Sequence, residues 1–278
     1  MTSFPSPHRP LAAALLTVGL AGAAHAANDV SVTFTNLAPP GGVGTAPLWV
    51  GFHDGSFDAF DVGSAASIGI ERSAEDGDSA PLSGIFGASV PGGTQATLPG
   101  PPAFPGDVRS TTFSGLDLGG AARYFSYAGM VVVSNDFFIG NDDAMAIDLS
   151  SFAVSGGTLS FLIGTPGSVY DAGTEVNDFN FSLANGAFGI GGGQTMGDQG
   201  TAENGVVHVV TGNPFPSFLG QDLVPPGYDF GPIDFNAYDA IGRIDIQIAA
   251  IPEPETYALM LAGLGYLGWM TRRRKVAA

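Results

Sequence analysis

Val30-Ser31-Val32-Thr33-Phe34-Thr35 alternates apolar and polar side chains, and Ile244-Asp245-Ile246-Gln247-Ile248 does the same near the other end of the chain. Successive side chains of a strand point to opposite faces, so a period of two gives one buried and one solvated face. Between these segments lie Leu48 to Phe52, Tyr124 to Val133, Thr158 to Ile163 and Val206 to Thr211, apolar stretches set off by Gly, Pro, Asn or Asp. Such punctuation ends strands. A half-apolar antiparallel sheet must cover its apolar face with a second layer, so the pattern predicts an all-β fold, an antiparallel β-sandwich with long Gly/Pro loops. Away from the chain ends no stretch keeps helical periodicity for long, and no internal repeat marks a solenoid or propeller. Pro91 to Pro105 and Phe188 to Gly200 read as long surface loops, and the acidic run Glu71 to Asp78 as a solvated one.

Composition supports that reading. Hydrophobic residues make up 45% of the 278 positions, enough for a core, while 42 Gly and 20 Pro interrupt it often. There is no cysteine, so disulfides and thiolate chemistry are excluded, and the fold must rely on packing or on metal. The formal net charge is −17, and between residues 27 and 252 only Arg72, Arg109, Arg123 and Arg243 stand against most of the 26 acidic residues. Such a surface repels nucleic acid and anionic headgroups and suits divalent cations. Only His53 and His208 lie outside the N-terminal leader, too few for most zinc or copper sites.

The two ends read as addresses. Met1 to Arg9 is weakly basic, Leu11 to Leu20 is apolar, and Ala24-His25-Ala26 offers the small side chains that a signal peptidase needs. Cleavage after Ala26 is expected, leaving residues 27–250 as the folded domain. At the other end come Pro252-Glu253-Pro254-Glu255, an apolar segment from Thr256 to Met270, and Thr271-Arg272-Arg273-Arg274-Lys275. A basic tail holds a short apolar helix with its end on the cytoplasmic side. Residues 251–278 resemble the PEP-CTERM sorting signals, with Pro252, Glu253 and Pro254 as the box, then a transmembrane helix and a basic tail. The resemblance implies recognition by an exosortase and export to the envelope, surface or extracellular matrix of a Gram-negative bacterium, after transient anchoring in the inner membrane.

Two acidic loops follow apolar strands: Ser134-Asn135-Asp136-Phe137-Phe138-Ile139-Gly140 and Val169-Tyr170-Asp171-Ala172-Gly173-Thr174-Glu175. Calcium takes six to eight oxygens, and loops at one end of a sandwich can converge to supply them, with Asp136, Asp171 and Glu175 as candidates. Asp and Asn are also ordinary turn formers, so the residues alone leave both readings open. Asn141-Asp142-Asp143 is a competing source of ligands.

Here the chain is similar to the spondin domain. Its Ser-Pro-Asp-Trp motif appears as Ser134-Asn135-Asp136-Phe137, and its Asp-Ala-Gly-Thr-Asp motif as Asp171-Ala172-Gly173-Thr174-Glu175. Val32 to Leu37 and Pro47 to His53 are also similar to bacterial members. The resemblance implies a β-sandwich with calcium held by Asp136, Asp171 and Glu175. Asn135 for Pro, Phe137 for Trp and Glu175 for Asp are departures, the last lengthening one ligand by a methylene.

The expected function is therefore a non-enzymatic surface module in adhesion or matrix contact, with exopolysaccharide as a possible partner. The alternative is a secreted hydrolase acting on matrix glycans or esters. No Gly-x-Ser-x-Gly elbow occurs, and no pair of carboxylates stands out for glycoside hydrolysis.

Overall fold

The computed structural model describes residues 27–132, 134–177, 201–212, 214, 238–250 and 261–267. Strand β1 (Asn28–Asn36) carries the alternation read above, with Val30, Val32 and Phe34 buried and Ser31, Thr33 and Thr35 half-buried. It pairs with β11 (Gly242–Ile248) in a register that sets Val30, Val32 and Phe34 opposite Ile248, Ile246 and Ile244. Two period-two patterns thus turn their apolar sides to the same face. Adding β5 (Val108–Leu116) and β8 (Gly157–Ile163) completes a four-stranded sheet in the order β5-β1-β11-β8.

The second sheet runs β10 (His208–Val209), β9 (Tyr170–Asp171), β7 (Phe137–Gly140), β6 (Tyr124–Val132), β3 (Trp49–His53), β4 (Thr94–Thr97). A short β2 (Gly44–Thr45) pairs with β6 at Val131 and Val132. Every strand pairing in both sheets is antiparallel among the described residues. The two sheets close on one core, Val30, Phe34 and Ile246 from the first meeting Val50, Phe52, Phe125 and Ile139 from the second. The rings of Phe52 and Phe113 meet edge-on across it at 4.9 Å, the geometry that opposes a ring's positive edge to its neighbour's negative face.

Strand β3 is buried along its whole length, so both of its faces are covered. Its second cover corrects the expectation that the middle of the chain lacks helices. Helices α1 (Ile68–Asp76) and α2 (Ala80–Ser89) lie over the outer face of this sheet. They enclose a second core of Trp49, Phe57, Ile70, Leu82, Phe86 and Phe138. Gly51 makes the layer possible, because a Cβ there would come 2.6 Å from the Trp49 ring and 3.0 Å from Phe86. Ser67 caps α1 by accepting from the Ile70 amide, and Gly77, at φ 67°, ends it in the left-handed conformation. The run Glu71 to Asp78 is therefore mostly helix, not a solvated loop, with Glu75 buried on its inner side.

Two smaller expectations change as well. Pro91 to Pro105 is not all loop, since it contributes β4 to the edge of the second sheet. Of Val206 to Thr211 only His208 and Val209 form a strand. Residues 1–26 and Phe188 to Gly200 lie outside the described residues. At the C-terminus, 261–267 is helical and exposed, while the Pro-Glu-Pro box and the basic tail also lie outside them. Among the described residues no helix is long and apolar enough to cross a membrane.

Candidate functional site

The two acidic loops meet where β7 and β9 run side by side, Phe137 facing Asp171 and Phe138 facing Tyr170. Ser134 shapes the first loop: its hydroxyl donates to the Val131 carbonyl at 2.7 Å and accepts from the Phe137 amide at 2.9 Å. This turn delivers Asp136 one residue before β7. Phe137 joins the core between the sheets, whereas Phe138 joins the helix-covered core. By the period of two, Asp136 shares the face of Phe138, which is the side of α1.

Asp136 is wholly buried, with 0% exposure. Its Oδ2 accepts from the Thr174 amide at 2.8 Å, the Glu175 amide at 3.0 Å and the Thr174 hydroxyl at 3.2 Å. Its backbone carbonyl accepts from Ala172 at 3.1 Å. Asp136 is thus tied to the loop that carries Asp171 and Glu175. Burial pushes its carboxyl up from the usual range, and the charge of neighbouring Asp171 pushes it further.

Asp171 and Glu175 are each only 2% exposed. Asp171 Oδ1 accepts from the Gly173 amide at 2.7 Å, and Oδ2 from the Asn177 side chain at 2.5 Å, with the His208 imidazole 3.6 Å from Oδ2. Gly173 stands at φ 67°, and a Cβ there would lie 2.6 Å from the Val206 carbonyl oxygen, so only glycine fits this loop. Amides of Glu203 and Gly205 donate to the carbonyls of Thr174 and Gly173 and hold the loop from outside.

Sequence reasoning missed a fourth buried carboxylate. Glu75, in the last turn of α1, is 2% exposed, lies against the Thr174 hydroxyl and feels the charge of Glu175. Burial pushes its carboxyl up to about 7. Buried oxygens around these residues, among them Asp136 Oδ1, Glu75 Oε2, Asn135 Oδ1 and Asn177 Oδ1, have no hydrogen-bond partner among the described residues. Leaving a buried carboxylate oxygen unpaired is costly, so this chemistry fits a hard cation with oxygen ligands. Among the described residues, no three His, Asp or Glu side chains already stand at coordinating distances from a common point. Asp142 and Asp143 are exposed and serve other turns, accepting from the Val62 and Met145 amides respectively.

For the hydrolase alternative, one base and one hydroxyl do touch. His53 Nε2 lies 2.9 Å from Ser126 Oγ, and Asn141 reaches the same hydroxyl at 3.3 Å. Both partners are sealed beneath the helices, and burial lowers the imidazole from its usual value. They form a buried polar network. Two surface grooves, one including Asp29, Ser31, Thr112 and Gln247 and the other Leu37, Tyr238 and Asp239, each contain a single carboxylate.

Residues 250–275 match the PEP-CTERM protein-sorting motif, spanning Pro252, Glu253 and Pro254. The motif marks an exported protein that an exosortase sorts and processes. No curated protein matches the chain.

Proposed function

We propose that this exported protein carries a spondin-like β-sandwich stiffened by one calcium ion, which Asp136, Asp171 and Glu175 hold, and acts as an adhesion or matrix-contact module at the cell surface. The observation that supports it best is the Asp136 carboxylate, buried beside Asp171 with Oδ1 lacking a donor among the described residues. Two carboxylates this close and this dry repel one another unless a cation or a proton intervenes. Calcium supplies positive charge and tolerates irregular oxygen shells, so ligands need only small side-chain rotations to reach it. The ion's role is structural: it cross-links the turn before β7 to the loop after β9. In an exported chain without disulfides, metal is the remaining cross-link. Adhesion and contact with an exopolysaccharide or matrix partner follow from the export address, the acidic surface and the spondin likeness. Residues 256–270 would anchor the unprocessed chain in the membrane until the exosortase acts.

Isothermal titration of the purified protein with calcium is the direct test. The expected result is one ion per chain, with Asp136→Asn weakening affinity by roughly tenfold or more. Wild-type protein that takes up no calcium at millimolar concentration would remove the ion from this reading.

A further inference from the structure

We propose that Glu75 of helix α1 is a fourth acidic arm of the same cation site, so that one ion fastens the helical layer to the edge of the second sheet. The inference rests on the calcium reading above and extends it to a part of the chain far from both acidic loops in sequence. Three observations carry it.

First, α1 packs against β7, the strand that follows Asp136 directly. Glu75 lies in the last turn of that helix and reaches the Thr174 hydroxyl, the same group that donates to Asp136 Oδ2. A hydroxyl has one proton to give, so it cannot serve both carboxylates at once. Second, Glu75 Oε2 is buried without a partner, as is Asp136 Oδ1. Third, the location is electrostatically wrong for an unaided carboxylate. The C-terminal end of a helix carries partial negative charge, and the last turn of α1 contains no basic residue. Arg72 pairs with Asp76 one turn on, and the charges that act on Glu75 most strongly are those of the acidic Glu175, Glu71 and Asp76. A divalent ion between α1 and the Asp136 turn relieves all three conditions together.

Calcium titration of the whole chain carrying Glu75→Gln, with Glu71→Gln on the same helix as the charge control and Asp136→Asn as the site control, tests this. Glu75→Gln is expected to weaken calcium binding at least tenfold while leaving the calcium-free protein as stable as wild type or more so, since a neutral amide replaces a buried, unpaired charge. Glu71→Gln is expected to change affinity less than threefold. A merely structural Glu75 would lower stability with and without calcium and leave affinity unchanged. Hydrogen exchange on the unmodified chain gives a second readout: calcium should slow the amides at Ser73 to Asp76 along with those at 172–175. If wild type binds calcium and Asp136→Asn does not, but Glu75→Gln binds like wild type, or calcium protects only 172–175, Glu75 is not a ligand and the calcium reading survives. If wild type binds no calcium, both fail.

Discussion

Asp136 concentrates the molecule's main electrostatic problem: it accepts three hydrogen bonds on one oxygen and none on the other, with Asp171 beside it. Without metal, a proton is the remaining way to relieve it, and the sign of the pH dependence follows. Burial raises the folded carboxyls of Asp136 and Glu75, the latter to about 7, above their unfolded range near ~4. A carboxyl raised on folding favours the folded state while protonated, so stability is fullest below the unfolded range and falls as pH climbs from about 4 through about 7. Calcium-free protein is therefore expected to melt at lower temperature at pH 8 than at pH 5.5, and saturating calcium to flatten that slope. Thermal scans across pH with chelator and with calcium check this. Gly173 supplies a second prediction at this scale. Alanine there must adopt φ near 67° and press on the Val206 backbone, which should cost roughly 1–3 kcal/mol and weaken calcium binding as the loop distorts. Denaturant unfolding and the same titration report both effects.

Elements explain which parts of this molecule its residues announce. Val30, Val32 and Phe34, with Ile244, Ile246 and Ile248, were legible because each strand buries one face only, and a period of two survives in the residue types. Asp136 and Asp171 were legible as acids at the exits of apolar strands. Helices α1 and α2 were not, since Gly69, Gly84, Gly87 and a scatter of Ser dilute any helical stripe, and the charges of α1 suggested solvent. The capping pair Ser67 and Gly77 was the readable signal that brackets α1. Glu75 was invisible for the same reason: its burial is decided by what α1 packs against, not by its neighbours in sequence. Strand β3 ties the two cores together, Val50 and Phe52 facing one and Trp49 the other. Gly51→Ala would force the Trp49 and Phe86 rings apart and is expected to destabilise by about 1–3 kcal/mol, with a shift in Trp49 emission. Ile246→Ala should cost more, roughly 2–5 kcal/mol, because it opens a cavity between the sheets.

At the scale of the whole molecule, an acidic sandwich followed by a sorting motif is a cargo with an address. Changing Pro252, Glu253 and Pro254 together to alanine is expected to leave the C-terminal segment attached and the protein in the membrane fraction, readable by fractionation and immunoblot. The fold itself should be indifferent to that change. On the proposed reading a cation joins its layers at one end, and an ion that binds only the folded state must stabilise it. The most direct measurement is the thermal midpoint of the purified protein with chelator and with calcium at about a hundredfold excess over its dissociation constant. The expected result is a rise of roughly 5–10 °C, the equivalent of about 2.7 kcal/mol. An identical midpoint in both conditions would contradict it.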